Sequence, residues 1–309
     1  MMTTISRPAS SQPAEAAGEG RTEPQSPGII AYLLCEAARR AYRWSRGNLG
    51  LQRRVERLKQ QLPDLPRTGI GVLLKHVDPA MEMRIAPLRQ PDRELVIGDF
   101  DQDGGIAPRF GRMRNVPSIS ATDFMTRTGF PILLVDLNGR LGVRKEFRRF
   151  SAFVQELEAL LDLEASACSI PRVMNVDWDA HTITITFVPG DVVREMLAKA
   201  GADIRDRTLE TAYTRSIDKE RIRRGRELVP QVLSDWQVSR IASALDAIHA
   251  AGYALEDVKF GNIILDTKSE PVFIDLERAL PIARLPRRIA DHARALDWRK
   301  FRDHFGERQ

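Results

Sequence analysis

Apolar positions along this chain fall into runs of two periods. From residue 132 the chain reads Ile132-Leu133-Leu134-Val135, then Asp136-Leu137-Asn138-Gly139, then Arg140-Leu141-Gly142-Val143-Arg144-Lys145. That is a pair of strands joined by an Asn-Gly turn signal. A second hairpin follows, its first strand at 171–178 and its second at 182–188, where Thr182-Ile183-Thr184-Ile185-Thr186 alternates cleanly before Pro189-Gly190 stops it. Helical spacing takes over elsewhere. Phe153, Leu157, Leu160 and Leu161 mark one stripe, and Val238, Ile241, Leu245 and Ile248 mark another on a helix over 235–251 that ends at Gly252. A short helix is expected over 191–200, capped by Asp191 and ended by Gly201.

The first 27 residues are rich in Ser, Pro, Ala, Glu and Gly and lack apolar periodicity, which predicts a disordered tail without the features of a signal peptide. The apolar run at 29–35 is too short to span a bilayer. At 309 residues and 43% hydrophobic content the chain supports one two-part core of ordinary size plus extensions. Cys35 and Cys168 fall in different segments, which predicts free thiols in a reducing cytoplasm.

The net charge of +5 is unevenly spread. Arg39, Arg40, Arg43, Arg46, Arg53, Arg54, Arg57 and Lys59 face a single Glu56 in the same stretch, with Ile29, Ile30, Tyr32, Leu33, Leu34, Tyr42 and Trp44 preceding or interleaved. Two readings stand for this segment: a basic amphipathic helix lying on an anionic membrane, or a solvated helix packed on the core. Arg223, Arg224 and Arg226, and Arg284, Arg287, Arg288, Arg294 and Arg299, form further basic clusters suited to an acidic or phosphorylated substrate. With 6% aromatics and no helix-turn-helix or zinc spacing, no nucleic-acid partner is expected. The five histidines show no metal-ligand spacing, and His249 reads as a packing or hydrogen-bonding residue.

Chemistry concentrates between 248 and 277. Asp257 is a carboxylate suited to accept a hydroxyl proton, Lys259 a cation near a transferring phosphoryl group, and Asn262 and Asp275 oxygen ligands for magnesium. The four lie within nineteen positions, each beside apolar residues that would hold it on a strand end or tight loop.

This spacing resembles the catalytic loop and metal-binding segment of the protein-kinase-like superfamily: a carboxylate, a lysine two residues on, an asparagine five residues on, and then a strand ending in a second carboxylate. Two departures stand out. Leu255-Glu256 occupies the place of the usual His-Arg, and Asp275-Leu276-Glu277 that of the usual Asp-Phe-Gly. The resemblance implies a nucleotide-binding lysine at Lys145, oriented by Glu156 with Glu158 as the fallback, and adenine against the backbone at Phe187 and Val188. A reduced phosphate loop with the single glycine of Thr126-Arg127-Thr128-Gly129 is implied, giving Thr128 and Gly129 as phosphate contacts.

The fold so implied is α+β and two-lobed, with a small antiparallel-sheet N-lobe over about 116–188 and a reduced helical C-lobe over about 189–309, preceded by an N-terminal extension over 28–115. Only 34 residues follow Asp275, too few for the activation segment and full helical lobe of a regulated protein kinase, so a compact atypical member is expected. The activity implied is ATP-dependent, magnesium-assisted transfer to a hydroxyl of a protein or a lipid-linked sugar. Lysine at 259 favours the protein acceptor, because sugar and aminoglycoside phosphotransferases usually carry His or Asn there. The alternatives are a lipopolysaccharide or other sugar kinase at the inner membrane face, and a pseudokinase scaffold. A cytoplasmic location is expected in each case.

Overall fold

The computed structural model describes residues 29–48, 50–62, 67, 69–100, 106–108, 132–201 and 214–306. The expected tail at 1–27 and the phosphate-loop candidates Thr128 and Gly129 lie outside the described residues.

The fold is α+β with antiparallel sheets. A six-stranded sheet contains β1 (Glu94–Phe100), β2 (Ile106–Pro108), β3 (Ile132–Leu137), β4 (Arg140–Glu146), β5 (Val173–Asp177) and β6 (Thr182–Thr186), in the order β2-β1-β3-β4-β6-β5. Asn138 and Gly139 both take positive φ, 51° and 83°, between β3 and β4. That is the geometry a two-residue hairpin turn needs if its twist is to match the flanking strands, and Asn-Gly adopts it at little cost. Register then decides what faces inward. Ile132 pairs with Lys145 and Lys145 with Ile183, while Leu134 pairs with Val143 and Val143 with Ile185. Lys145 therefore shares a face with five apolar side chains and is buried.

The helix over Phe150–Ala165, preceded in the chain by α1 (Ile29–Asn48), α2 (Leu51–Gln61), α3 (Leu74–Val77) and α4 (Pro79–Ile85), is numbered α5. Its stripe of Phe153, Leu157 and Leu160 shares a core with Val173, Ile183 and Ile185 of the sheet. Glu156 lies on that stripe by its i+3 spacing from Phe153 and is buried with it. Leu74, Met81 and Ile85 of α3 and α4 pack with Ile97, Leu134 and Leu141 in a second core.

Two findings correct the sequence-based expectation here. Residues 94–100 pair with β3 and belong to the sheet, although they fall within the expected extension over 28–115. Leu95-Val96-Ile97 is a short run with no turn signal linking it to residue 132, so its partner was hidden. Asp191 caps no helix. It sits in β7 (Gly190–Val192), and the helix α6 (Val193–Lys199) starts from Val192 without a side-chain cap. The cause is strand pairing: Gly190 opposes Asp266, and a Cβ there would lie 2.1 Å from the Leu265 carbonyl oxygen. Only glycine permits that approach.

The remaining chain is mainly helical. α7 (Thr214–Val232) and α8 (Asp235–Ala250) precede β8 (Tyr253–Ala254), β9 (Ile263–Asp266), β10 (Pro271–Phe273), β11 (Leu280–Pro281) and α9 (Arg287–Phe305). α8 opens with a capping box, Ser234 bonding the Gln237 backbone and Gln237 reaching back. β10, β9 and β7 form one small sheet, and β8 pairs with β11 in another. Apolar residues from α2, α5, β6, α8, β9 and α9 join a single core. α1 lies against α9 and α5, and α2 against α5. Cys35 and Cys168 are unpaired.

Candidate functional site

Lys145 Nζ donates to both carboxylate oxygens of Glu156 at 2.7 Å and to Asp275 Oδ1 at 3.1 Å. The three residues come from β4, α5 and the segment after β10, and Lys145 and Asp275 are 130 positions apart. Burial works against the ammonium, but the charges of Glu156 and Asp275 outweigh it and hold the Lys145 pKa above its ordinary value. Burial pushes the Glu156 carboxyl upward, and the same ammonium pulls it back. The pair is held charged by mutual contact in a site where neither charge alone would be tolerated. Glu158, the fallback partner, lies elsewhere: it is fully buried among Arg46, Arg54, Arg57 and Arg284. Two positions along α5 turn its side chain away from the sheet face that carries Lys145.

The second half of the site is built on the β9–β10 hairpin. Ile263 pairs with Phe273, and the next backbone bond, from Ile274 N–H to the Asn262 carbonyl, ties the two strand ends together. That bond brings Asn262 beside the residue preceding Asp275. Asn262 Nδ2 in turn donates to the Asp257 carbonyl at 2.9 Å and reaches Asp257 Oδ2 at 3.4 Å. Lys259 Nζ lies 3.4 Å from the same Oδ2. Between them Phe260 is buried against His304 and Phe305 of α9, which pins the single 3-10 turn Phe260–Asn262. The loop is thus fixed by one aromatic anchor and one amide.

The structure thus forms two polar groups, Lys145–Glu156–Asp275 and Asp257–Lys259–Asn262, linked through the backbone bond from Ile274 N–H to the Asn262 carbonyl. Phe187 and Val188 flank the apolar cluster that contains Ile132, Ile264 and Ile274, with Phe187 buried in it and Val188 packed at its margin.

Asn262 Oδ1 is buried and accepts no hydrogen bond, although the amide nitrogen is fully engaged. An orphaned amide oxygen near an aspartate is costly unless a ligand completes it. Among the described residues no three His, Cys, Asp or Glu side chains gather as a metal cluster. The set of one amide and one carboxylate instead matches magnesium, which keeps several waters and takes substrate phosphate oxygens. The donors present fit that ion.

Sequence reasoning missed the residues that brace this loop. Asp297 of α9, fully buried, accepts the backbone N–H groups of Leu255 and Glu256, each at 2.7 Å, and lies 3.0 Å from His249 Nε2. His249 is thus a hydrogen-bonding residue, as expected. Glu256, held at a left-handed φ of 58°, turns its side chain into ion pairs with Arg39 and Arg43 of α1. Lys300 Nζ bonds the Glu256 carbonyl. The one available signal was Glu256 itself, a carboxylate next to Asp257, whose partners are supplied by the basic helix.

The basic N-terminal segment accordingly divides. Arg39 and Arg43 serve Glu256, while Arg46, Arg54 and Arg57 serve Glu158. Burial pushes the guanidinium groups of Arg43 and Arg54 down to about 10. Much of the other basic charge is also neutralised locally: Arg223 by Glu220 and Glu227, Arg224 by Glu220, and Arg294 by Asp291.

No protein-family model matches the chain, and no curated protein matches it in sequence. No helix among the described residues is long and apolar enough to cross a membrane.

Proposed function

We propose that this chain is an ATP-dependent phosphotransferase of protein-kinase-like architecture, its six-stranded sheet and its helical part forming the two lobes, and that it moves the γ-phosphate to a hydroxyl acceptor. Protein serine or threonine is the preferred acceptor, ahead of a lipid-linked sugar. One observation carries the reading: a strand lysine, a helix carboxylate and a distant aspartate meet in a single buried contact, Lys145–Glu156–Asp275, beside an unsatisfied amide oxygen on Asn262. Core ion pairs stabilise poorly for what they cost, so a buried lysine held between two carboxylates is the mark of a positioned charge.

In this mechanism Lys145 holds the α- and β-phosphates and Glu156 fixes its ammonium. Asn262 and Asp275 would hold magnesium, which when bound neutralises charge on the phosphate oxygens. Asp257 accepts the acceptor's hydroxyl proton as the new oxygen–phosphorus bond forms and the bond to the ADP oxygen breaks. Lys259, beside Asp257, offsets negative charge on the phosphoryl group in transit.

A pseudokinase scaffold is the second reading, favoured by Glu256 standing where the family carries arginine. Thermal-shift titration with ATP and magnesium, followed by a radiolabelled transfer assay over peptides, sugars and small alcohols, separates the two. Stabilisation with transfer supports the enzyme, and stabilisation without transfer supports the scaffold. Absence of both removes the phosphotransferase, and full transfer by an Asp275→Ala protein removes the mechanism assigned to Asp275.

A further inference from the structure

α1 is amphipathic in the inverted sense. Its inward face carries Arg39, Arg43 and Arg46, each satisfied by a carboxylate of the body of the protein. The outward face carries Ile30, Leu33, Leu34, Ala37, Ala41 and Trp44, which recur at helical spacing and are all exposed. Ile29 is 80% exposed, Ile30 76%, Leu33 58% and Leu34 66%. A globular helix normally does the reverse, and four large aliphatic side chains within six residues are an uncommon load for a solvent face. Of the two readings of this segment, Arg39, Arg43, Arg46, Arg54 and Arg57 follow the one packed on the core, whereas Arg40, Arg53 and Lys59 stay exposed.

Charge around this patch points to its cover. Arg40, exposed, borders it on α1 itself. Where the start of α9 meets α1, Cys35 Sγ touches the Arg288 carbonyl oxygen at 4.0 Å, Tyr32 packs edge-on to His292, and Arg287 and Arg288 are exposed alongside. Arg40 pairs with Glu36 and Arg287 with Asp291, but both are exposed surface pairs of little strength, and with Arg288 they rim the apolar strip as the interface of an anionic bilayer requires, where acyl chains lie beneath phosphate groups. A second copy docked on the same patch through a two-fold axis would set the arginines of one rim near those of the other.

We infer that the outer face of α1 docks this protein peripherally on an anionic lipid surface, with Ile29, Ile30, Leu33 and Leu34 entering the acyl boundary and Arg40, Arg287 and Arg288 meeting headgroup phosphates. The inference rests on α1 and the start of α9 and stands independently of the phosphotransfer reading. Because the inner face of the same helix holds Glu256, docking also sets the loop of Asp257 at a fixed height above the lipid.

Cosedimentation of the full chain with vesicles tests it, using phosphatidylcholine alone and phosphatidylcholine mixed with phosphatidylglycerol. Wild-type protein is expected to pellet with the anionic vesicles and to stay in solution with the neutral ones. The Leu33→Glu/Leu34→Glu and Arg287→Glu/Arg288→Glu variants should each lose about tenfold or more in vesicle affinity, at an unchanged thermal midpoint since these side chains are exposed. A milder Leu33→Ser/Leu34→Ser variant serves if the glutamates disturb folding. Wild-type protein that ignores anionic vesicles, or Leu33/Leu34 variants that bind as well as wild type, overturns the inference. So does a wild-type dimer in sedimentation analysis that the same variants dissolve, which would assign the face to a second copy.

Discussion

Arg39 donates a hydrogen bond to Glu256 across 217 residues of chain, joining the first helix to the position next to Asp257. Glu256 also pairs with Arg43, and its carbonyl accepts from Lys300, so the loop is clamped from two helices. The cations that pair with this carboxylate come from the protein's own N-terminal helix.

Replacing Glu256 by Gln should loosen that clamp, and on the proposed phosphotransferase reading it should do so without touching the nucleotide site. Breaking one side of a buried pair costs about 3–5 kcal/mol, reduced here because Arg39 keeps Glu36. Turnover is expected to fall by about tenfold or more while the thermal shift produced by ATP and magnesium stays unchanged. Steady-state kinetics alongside the nucleotide titration reads the difference.

Lys145→Met should leave the Glu156 carboxyl buried without its cation and lower stability by about 3–5 kcal/mol in urea unfolding. Adding Glu156→Leu removes the orphaned carboxyl and should restore most of that loss. Transfer should remain absent in both, so stability and activity part company.

Asp297→Ala strips the acceptor from two backbone N–H groups and from His249. At about 1–3 kcal/mol for each buried donor left unsatisfied, a loss of several kcal/mol is expected in denaturant unfolding. Asp297→Asn keeps one acceptor and should lie between the alanine variant and wild type.

Acid should weaken the ion pairs within α1. Hydrogen bonding from Arg39, joined by Arg40 and opposed by burial, holds the Glu36 carboxyl at about 2, below an ordinary value of 4.5. A depressed carboxylate contributes stability that is complete above 4.5 and is lost as pH falls from there toward 2. The thermal midpoints of wild type and Glu36→Gln should therefore differ at neutral pH and converge by about pH 2.

Limited proteolysis checks the other anchor of the N-terminal helices. Glu158→Ala leaves Arg46, Arg54, Arg57 and Arg284 gathered around an empty centre. Four like charges without their counterion repel, so cleavage within 29–62 should accelerate by at least about tenfold while the rest of the chain resists.

The local elements were legible because their causes are local. The Asn138-Gly139 turn, the alternation at Thr182–Thr186, and the helix ended by Gly252 follow from neighbouring residues, and so does the spacing that groups Asp257, Lys259, Asn262 and Asp275. The sequence also placed Lys145 at the end of a strand and Glu156 on or beside a helical apolar stripe.

What the chain alone left open were relations between distant surfaces. Glu156 and Glu158 differ by two positions, and only the packing of α5 decides that one meets Lys145 and the other four arginines. Asp297 has no motif, and its role exists because α9 passes beneath the loop at 255–256. The basic helix read equally well as facing outward or inward until buried carboxylates at 158 and 256 drew its arginines in and left its leucines to solvent. Periodicity states that a helix has two faces; which one turns inward depends on the charge and shape of whatever it packs against.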